Sequence, residues 1–237
     1  MLKSIYVNSV QAAAKPLRAS GILARLEGAP KHSFRFWLAS QFAVYDAARL
    51  AQLDVPWWTT VAAREVERWI GARGGRVRAF EYGSGASTVW LARRCSHVTS
   101  VEHDAAFARS IAPILDPERV RLRVVEPTRG VAVPRAGSAR RGFEDCDFSA
   151  YVDAILDEDV RYDLVVIDGR ARVACLARAQ ERLAPGGLIV FDNSDRRRYR
   201  AALSRVRGTG ARYRGWTPAL PYRSETLLIH SPPEAPA

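Results

Sequence analysis

Four acidic residues in this sequence each follow directly on an apolar run with the composition of a buried strand. They are Glu81, Glu102, Asp168 and Asp192. Because the carboxyl ends of parallel strands share one edge of an open α/β sheet, these side chains are predicted to surround a single ligand crevice. Carboxylates in such a crevice can accept hydrogen bonds from a ribose, bind a cation through oxygen, or take a proton from a substrate.

The segment 77–91, VRAFEYGSGASTVWL, joins the first acid to a glycine turn. Gly83 and Gly85 allow the backbone to come close to a ligand, and Ser87 and Thr88 are predicted to cap the helix that follows. Glu102 comes 17 residues after Gly85, near the spacing at which a carboxylate binds a ribose diol. This pattern predicts a nucleotide-cofactor site, and it serves NAD and S-adenosylmethionine equally well.

The elements that position these residues follow from the alternation of apolar runs and amphipathic segments. Strands are predicted over 77–81, 97–102, 120–125, 163–168 and 188–192, helices over 87–94, 104–115, 173–183 and 196–206, and a final strand pair over 211–217 and 226–230. Such spacing builds right-handed βαβ units and a parallel sheet. A polar stretch over 127–147 is predicted to be a long surface loop, and Pro185-Gly186-Gly187 is predicted to introduce the fifth strand.

The bulk composition favours a globular α/β domain with anionic partners. The chain has 237 residues and a net charge of +11, which attracts phosphorylated metabolites, acidic glycans, nucleic acid or a membrane surface, although an arginine-rich solvated surface explains it equally well. Cys95, Cys146 and Cys175 are odd in number and lack metal-ligand spacing, which indicates unpaired thiols in a reducing compartment. The sequence has no secretory-signal pattern and no membrane-span pattern, so a cytoplasmic location is predicted.

The first 55 residues are predicted to form a helical cap, followed by one α/β domain over 56–231 and a disordered tail over 232–237. The apolar segment 34–44, FRFWLASQFAV, is interpreted as a helix that packs on the domain. Contact with a membrane surface through this N-terminal segment is a second interpretation, favoured by Lys3, Lys15, Arg18 and Arg25.

Four motifs taken together carry a family resemblance. FEYGSGAST, TSVEHD, YDLVVIDGR and LAPGGLIVFDN resemble the successive motifs of the class I S-adenosylmethionine-dependent methyltransferases over residues 77–230. The resemblance implies a Rossmann-like α/β fold with a seven-strand, mostly parallel sheet sandwiched by helices, and S-adenosylmethionine as the cofactor. The antiparallel strand pair at the end suits this family better than a dehydrogenase.

The resemblance also implies which residues hold the cofactor. They are Glu81, Tyr82, Gly83, Ser84, Gly85, Ser87, Thr88, Glu102 and His103. In the family the glycine turn passes beneath the methionine part of the cofactor, and the acid after the second strand binds the ribose hydroxyls. His103 would border the adenine, and the alternative is an exposed residue at a helix start. Glu126 matches a further adenine-side position only loosely.

The remaining strand ends are assigned to the methyl acceptor. Asp168 is predicted to act as a polar or general-base group near the methyl acceptor. The substrate-binding residues are predicted to be Trp57, Trp58, Arg170, Asp192 and Asn193, with capping of the next helix as the alternative for the last two. Arg170 and Arg172 would lie at the crevice rim and bind an acidic group. The tryptophan pair could stack on a sugar or a ring, with core packing as the alternative for at least one of the two.

Asp168, Asp192 and Asn193 also resemble the metal-binding set of the cation-dependent catechol and caffeoyl-CoA O-methyltransferases. Such an oxygen set suits Mg²⁺. The sequence departs from that pattern because Ala171 stands where those enzymes have a lysine. A divalent metal is therefore left open but is not favoured.

The predicted activity is methyl transfer to the hydroxyl of a small molecule or a glycan, with an anionic acceptor suiting the charge. Two alternatives stay open: an RNA methyltransferase and a non-catalytic cofactor-binding module. Nucleic acid is disfavoured because the fourth strand is not followed by an Asn-Pro-Pro-Tyr-type motif and no RNA-binding module is present. The arginines over 196–207 are interpreted first as a solvated face and second as an anionic docking patch. The sequence does not predict an oligomeric state.

Overall fold

In the computed structural model, which describes residues 10, 12, 14–44 and 46–232, strands and helices alternate from residue 78 onward. The strands are β1 (Arg78–Tyr82), β2 (His97–Glu102), β3 (Val120–Val124), β4 (Tyr162–Ile167), β5 (Leu183–Asp192), β6 (Thr209–Trp216) and β7 (Arg223–His230). The predicted number of strands and their order along the chain are confirmed.

Helices precede and separate these strands. After helical residues 14–19, the helices are α1 (Ile22–Glu27), α2 (Phe34–Ser40), α3 (Ala47–Gln52), α4 (Thr60–Gly71), α5 (Ala86–Ala92), α6 (Ala105–Ile111), α7 (Ser149–Asp153), α8 (Arg172–Arg182) and α9 (Arg200–Leu203). Short 3₁₀ turns cover Gln41–Ala43, Ala112–Ile114, Ala154–Leu156 and Arg197–Tyr199. The predicted helix over 196–206 is therefore wrong in extent, because a 3₁₀ turn occupies its first part.

The strand order is β3-β2-β1-β4-β5-β7-β6. Strands β1 to β5 are parallel, and β7 runs antiparallel to both β5 and β6. This is the predicted Rossmann-like sheet with its terminal antiparallel pair. The order reverses between β1 and β4, and in open α/β sheets ligands bind beyond the carboxyl ends of the strands at that reversal.

Alternate residues of the central strands pack on opposite faces of the sheet. In β4, Leu164 and Val166 pack with α4 and α5 around Trp90, whereas Val165 and Ile167 pack with α7 and α8. These strands are apolar on both faces because helices cover both sides. A rigid two-sided core fixes the positions of the strand ends to which the acids are attached.

The Pro-Gly-Gly segment does not precede β5 but lies within it, so the predicted strand start at 188 is wrong. Leu183 already pairs with Tyr162, and the register shifts before Leu164 pairs with Leu188. A Cβ at Gly187 would lie 2.9 Å from the carbonyl oxygen of Asp163. Only glycine permits this approach, so the segment forms an irregular continuation of the strand.

The N-terminal helices pack against the loop between β6 and β7. The Trp37 indole donates to the carbonyl of Leu220 at 2.9 Å and its ring centroid lies 4.2 Å from that of Trp216. The Ala219 amide donates to Ser40 at 3.0 Å. Helix α2 therefore packs on the domain, while Phe34 on its outer side is 60% exposed.

Asp54 connects this cap to the helix that follows the glycine turn. Its carboxylate pairs with Lys31 at 2.8 Å, Arg93 at 3.1 Å and Arg94 at 2.7 Å. Hydrogen bonds and charge from Arg94 and Lys31 hold the pKa of Asp54 well below its usual range, against the opposing effect of burial.

Replacing Asp54 with asparagine is expected to lower the free energy of unfolding by about 1 kcal/mol at pH 7, a modest value because solvent screens this partly exposed network. Since the folded-state pKa is depressed, the contribution is present above about pH 4 and is lost as the pH falls below it. Urea unfolding at pH 7 measures the loss of stability in the variant, and urea unfolding at pH 3 shows whether the difference from the wild type disappears. Asp159→Asn, which removes a fully exposed partner of Arg182, is the control; an equal loss in both variants would contradict the prediction.

Some sequence predictions fall outside this description. Residues 1–9, which include Lys3, and residues 233–237 of the predicted tail lie outside the described residues. Among those described, no helix is both long and apolar enough to cross a bilayer. The boundary between cap and domain near residue 55 stays a prediction.

Candidate active site

The carboxyl ends of β2, β1, β4 and β5 lie side by side. Tyr82 at the end of β1 is level with Val101 in β2 and Ile167 in β4, and Ile167 is level with Phe191 in β5. Glu81, Glu102, Asp168 and Asp192 therefore lie within one residue of the same sheet edge. The structure brings all four to the predicted edge of the sheet.

The glycine turn after β1 is packed directly on the loop after β4. Gly83 has φ +95°, and a Cβ there would lie 2.7 Å from the Cα of Gly169. The Asp168 amide donates to the carbonyl of Tyr82 at 3.0 Å, which joins the two backbones at this crossing, and the Gly83 amide donates to the carbonyl of Val101 in β2 at 2.9 Å. By contrast, a Cβ on Gly85 would meet no atom within 4 Å.

Gly83→Ala is expected to lower the free energy of unfolding by about 2 kcal/mol, because alanine is strained at this φ and its methyl group would push on the Gly169 backbone. Gly85→Ala is the matched variant and should lose less stability, about 0.5 kcal/mol, since its methyl group enters open space and the loss comes only from alanine being a poorer N-cap residue than glycine. Chemical denaturation of both variants tests this. Equal stability of the two would contradict the packing described.

Glu81 is buried within three hydroxyl groups rather than facing the crevice. Ser87 and Thr88 of α5 each donate to it at 2.5 Å, and Ser100 of β2 donates at 2.7 Å. Thr88 also accepts from the amide of Gly85 at 2.9 Å. The predicted capping role of Ser87 is wrong, because its hydroxyl is used on Glu81. Burial raises the pKa of Glu81 to about 7, and the three hydroxyl donors oppose that rise.

Glu81→Gln is expected to flatten the dependence of stability on pH. Because the folded-state pKa is raised, the stabilising contribution of Glu81 is fully present below about pH 4.5 and is lost as the pH rises through 7. That loss amounts to about 3 kcal/mol between these limits. Unfolding titrations at pH 5 and pH 8 should therefore give a smaller pH difference for the variant. A Glu118→Gln change at an exposed site should leave the wild-type difference intact.

Glu102 is also buried, and its oxygens organise the loops around it. Its carboxylate accepts from the amides of His103 at 2.8 Å, Asp104 at 2.9 Å and Ser84 at 3.2 Å. The Ser84 hydroxyl lies 2.7 Å from that of Ser100. Glu102 thereby connects the turn after β1 to the start of α6.

His103 lies in an aromatic enclosure between Glu102 and Arg170. Its Nδ1 lies 2.5 Å from a Glu102 oxygen, and Arg170 donates from Nε to its Nε2 at 3.2 Å. The rings of Phe143 and Phe148 lie 5.6 and 5.8 Å away, centroid to centroid. The His103 side chain is only 12% exposed, so the alternative of an exposed helix-start residue is wrong.

Asp168 and Asp192 face one arginine. Arg172 Nη2 lies 2.6 Å from Asp168 Oδ1, and Arg172 Nη1 lies 3.7 Å from Asp192 Oδ2. The second Asp192 oxygen accepts from Thr226 at 2.9 Å. Burial raises the pKa of Asp168 and of Asp192, and repulsion between the two carboxylates adds to the rise for Asp192, while Arg172 opposes it. The Asp168 side chain keeps 21% of its surface exposed and Asp192 keeps 4%.

The sequence over residues 80–194 matches the family model described as a methyltransferase domain. This match covers the glycine turn, all four strand-end acids and, from Phe80 onward, the strands that carry them. Residues 80–194 therefore form a class I S-adenosylmethionine-dependent methyltransferase domain.

Solved structures share the fold of this methyltransferase at low sequence identity. The O-methyltransferase from Bacillus cereus in complex with SAH is 19% identical, with 82% of this chain and 98% of that chain covered at a TM-score of 0.55. The O-methyltransferase TomG from Streptomyces achromogenes, involved in tomaymycin synthesis and solved with SAM, is 18% identical over 80% and 89% of the two chains, with a TM-score of 0.52. A search of the curated proteins found none that matches this sequence.

Several predicted site residues of the methyltransferase occupy other places. Trp58 is fully buried, and its ring packs edge-on against Trp90 at 5.6 Å, so it belongs to the core and does not bind substrate. Tyr82 is buried too, and its hydroxyl donates to the carbonyl of Val152 at 2.7 Å; only its backbone lies at the crevice. Trp57 is half-buried and packs against the apolar cluster of the N-terminal helices.

Arg172 and Asp192 also depart from their predicted places. Arg172 lies inside the site and not at the rim, and Asp192 points at Arg172 and Thr226. Neither side chain has the surface to bind an acceptor. Asn193 is half-buried with φ +54°, and its oxygen accepts from Arg196.

Sequence reasoning missed two contributors to the site, Ser100 and Phe143, and placed a third, Arg172, at the rim instead of inside. Ser100 supports Glu81 from the adjacent strand, Phe143 encloses His103 from the 127–147 loop, and Arg172 joins Asp168 to Asp192. A signal was available for Phe143, which is an aromatic residue in an otherwise polar segment. The Ser100 and Arg172 contacts depend on strand register and on the fold of the β4–α8 turn.

Proposed function

We propose that this methyltransferase transfers a methyl group from S-adenosylmethionine to a hydroxyl oxygen of an anionic small molecule or glycan. The observation that carries the proposal is the Asp168 carboxylate, which is held at the sheet edge beside the glycine turn and remains partly exposed. A carboxylate with a raised pKa in this place is suited to accept a proton from a hydroxyl group.

The cofactor is proposed to bind along the turn after β1 and the start of α6. Open space beside Gly85 allows a ligand to contact the backbone. Glu102 would accept hydrogen bonds from the ribose hydroxyls, and its amide donors already fix its orientation. Glu81, Ser87 and Thr88 would act behind the cofactor by bracing the turn, and His103 would border the adenine.

When bound, S-adenosylmethionine supplies a methyl group already activated on a sulfonium. The acceptor oxygen forms a bond to the methyl carbon while the carbon–sulfur bond breaks, and S-adenosylhomocysteine leaves with the electron pair. Asp168 takes the hydroxyl proton. Arg172 keeps the Asp168 carboxylate in one orientation toward the acceptor. Most of the rate enhancement would come from holding the reacting atoms in line.

Two arginines support an anionic acceptor. Arg170 is half-buried and has no carboxylate within ion-pair distance among the described residues; its pKa is lowered by burial and by the nearby charge of Arg140. Arg196 lies close enough to Asp168 to lower the pKa of that carboxyl. Arg170 donates to a ring nitrogen of His103 and Arg196 donates to the amide oxygen of Asn193, but among the described residues neither lies within ion-pair distance of a carboxylate. Cations whose charge is not balanced in this way favour an anionic ligand. The two structures compared above, both named O-methyltransferases, support oxygen as the nucleophile.

RNA is the second candidate acceptor, and one observation favours it. Six arginines over 196–207 are exposed: Arg196, Arg197, Arg198, Arg200, Arg205 and Arg207. The segment begins beside the site, so it could guide a polyanion toward Asp168.

The deciding experiment follows methyl transfer from labelled S-adenosylmethionine to a matched acceptor panel. The panel contains carboxylated and phosphorylated alcohols and phenols, their uncharged analogues, their amine counterparts and short RNAs. Transfer to charged hydroxyl compounds, with little to the uncharged or amine compounds, supports the proposal. Transfer only to RNA, falling steeply with salt, supports the second candidate. Cofactor binding without transfer to any acceptor would favour a non-catalytic binding module.

A further inference from the structure

The oxygen set that suggested a metal site does not fit a divalent cation in this chain. The resemblance to cation-dependent O-methyltransferases rests on Asp168, Asp192 and Asn193. A cation would need oxygens from these residues to converge on one centre. Here each of the three side chains already contacts an arginine: Asp168 and Asp192 contact Arg172, and Asn193 contacts Arg196.

Arg172 fills the space between the two carboxylates. Beyond its contacts with Asp168 and Asp192, its Nη2 donates to the carbonyl of Asp168 at 2.9 Å and its Nε donates to the carbonyl of Gly169 at 3.1 Å. Nη1 donates to the carbonyl of Asp192. The guanidinium thus makes hydrogen bonds to both strand ends at once, and the side chain is buried.

Arg172 lies at the start of a helix, where a positive charge is unfavourable unless other groups compensate it. It is the first residue of α8, directly after Ala171 in the left-handed conformation. The positive end of the helix dipole disfavours a cation there. A buried guanidinium in this position is stable only because two carboxylates and three carbonyls surround it.

We propose that Arg172 is a built-in cation that occupies the place of a divalent metal and sets the orientation of Asp168. The inference rests on the proposed methyl transfer at this site. Arg172 is a positioning residue, because it acts on the acceptor through Asp168. The guanidinium of Arg172 donates its hydrogen bonds to protein oxygens. It therefore cannot bind two adjacent acceptor oxygens as a metal ion can. The acceptor therefore needs only one hydroxyl group, and methyl transfer proceeds without added divalent cations.

The first test measures cation binding directly and needs no acceptor. When Mn²⁺ is added to the wild-type protein up to about 1 mM, the electron paramagnetic resonance signal of free Mn²⁺ is expected to equal that in buffer without protein. The melting temperature of the wild type should be the same in EDTA and in Mg²⁺. Stoichiometric Mn²⁺ binding by the wild type that is removed by Asp192→Asn would overturn the proposal. Because this readout is independent of turnover, a failed acceptor screen would refute the proposed function without deciding this result.

The second test removes the cation. Arg172→Met keeps the unbranched apolar part of the side chain and removes the guanidinium. Asp168 and Asp192 then lack the positive charge between them, so Mn²⁺ is expected to raise the melting temperature of this variant by about 5 °C. Arg178→Met on the same helix, at a partly exposed arginine paired with Asp153 and Glu181, is the control, and its melting temperature should not respond to Mn²⁺. A folded Arg172→Met variant that shows no response to Mn²⁺ would count against the proposal. If Arg172→Met does not fold, the wild-type titration decides.

Discussion

Asp168→Asn is expected to lower kcat by about 100- to 1000-fold while the affinity for S-adenosylhomocysteine changes less than threefold. The amide keeps the shape of the side chain but cannot accept the hydroxyl proton, and general bases typically contribute such factors. Arg172 retains its contacts with Asp192 and the backbone carbonyls, so the site should stay folded. Single-turnover kinetics with an acceptor that the wild type methylates measure the loss of rate. Calorimetric titration with S-adenosylhomocysteine measures the cofactor affinity.

The pH dependence of the methyl-transfer rate shows whether Asp168 accepts a proton or has only a structural role. Activity of the wild type should rise with pH through the pKa of Asp168, which burial raises above its ordinary value. That acidic limb should disappear in Asp168→Asn. Asp195→Asn, at a neighbouring exposed position, should keep both the rate and the profile. An unchanged kcat in Asp168→Asn would show that the proton leaves by another route.

Glu102→Ala is expected to weaken S-adenosylhomocysteine binding by about 100-fold. The carboxylate is proposed to hold the ribose, and hydrogen bonds to a charged group are worth about 1.5–3 kcal/mol. Its removal also frees the amides of Ser84, His103 and Asp104, which it now orders. The loss should therefore appear in cofactor affinity more strongly than in the melting temperature. Calorimetric titration measures the affinity. NAD, titrated separately as a control ligand, should bind neither the wild type nor Glu102→Ala.

Glu118→Ala provides the comparison for a carboxylate lost from an exposed position. It should bind S-adenosylhomocysteine within twofold of the wild type. Unchanged affinity in Glu102→Ala would place the cofactor elsewhere. Gly85→Ala adds an independent probe. If the open space beside Gly85 belongs to the cofactor, this variant stays folded with a small loss of stability but binds S-adenosylhomocysteine more weakly.

The main features of the fold were predictable because they depend on short-range patterns. Buried parallel strands read as continuous apolar runs, so 97–102 matched β2 and the other strands except β5 were found to within a few residues. The acid that ends each run must then lie at the carboxyl edge. The start of β5 was not predictable from its Pro-Gly-Gly segment, because its pairing depends on a register shift against β4.

Side-chain contacts across the sheet depended on tertiary structure. Trp57 and Trp58 are adjacent and chemically identical, yet only Trp58 is enclosed by Trp90 in the core. Arg172 has the local sequence of a rim residue, but the turn after β4 directs it inward between Asp168 and Asp192.

The sequence alone therefore determined the order of the elements, the sheet edge that holds the acids and the methyltransferase family of residues 80–194. These depend on residue type and spacing, which are local. Only the tertiary structure decided which oxygens of those acids remain available to a ligand. Glu81 is enclosed by Ser87, Thr88 and Ser100, and Asp192 by Arg172 and Thr226, because hydrogen-bond partners and burial are set by segments distant in the chain.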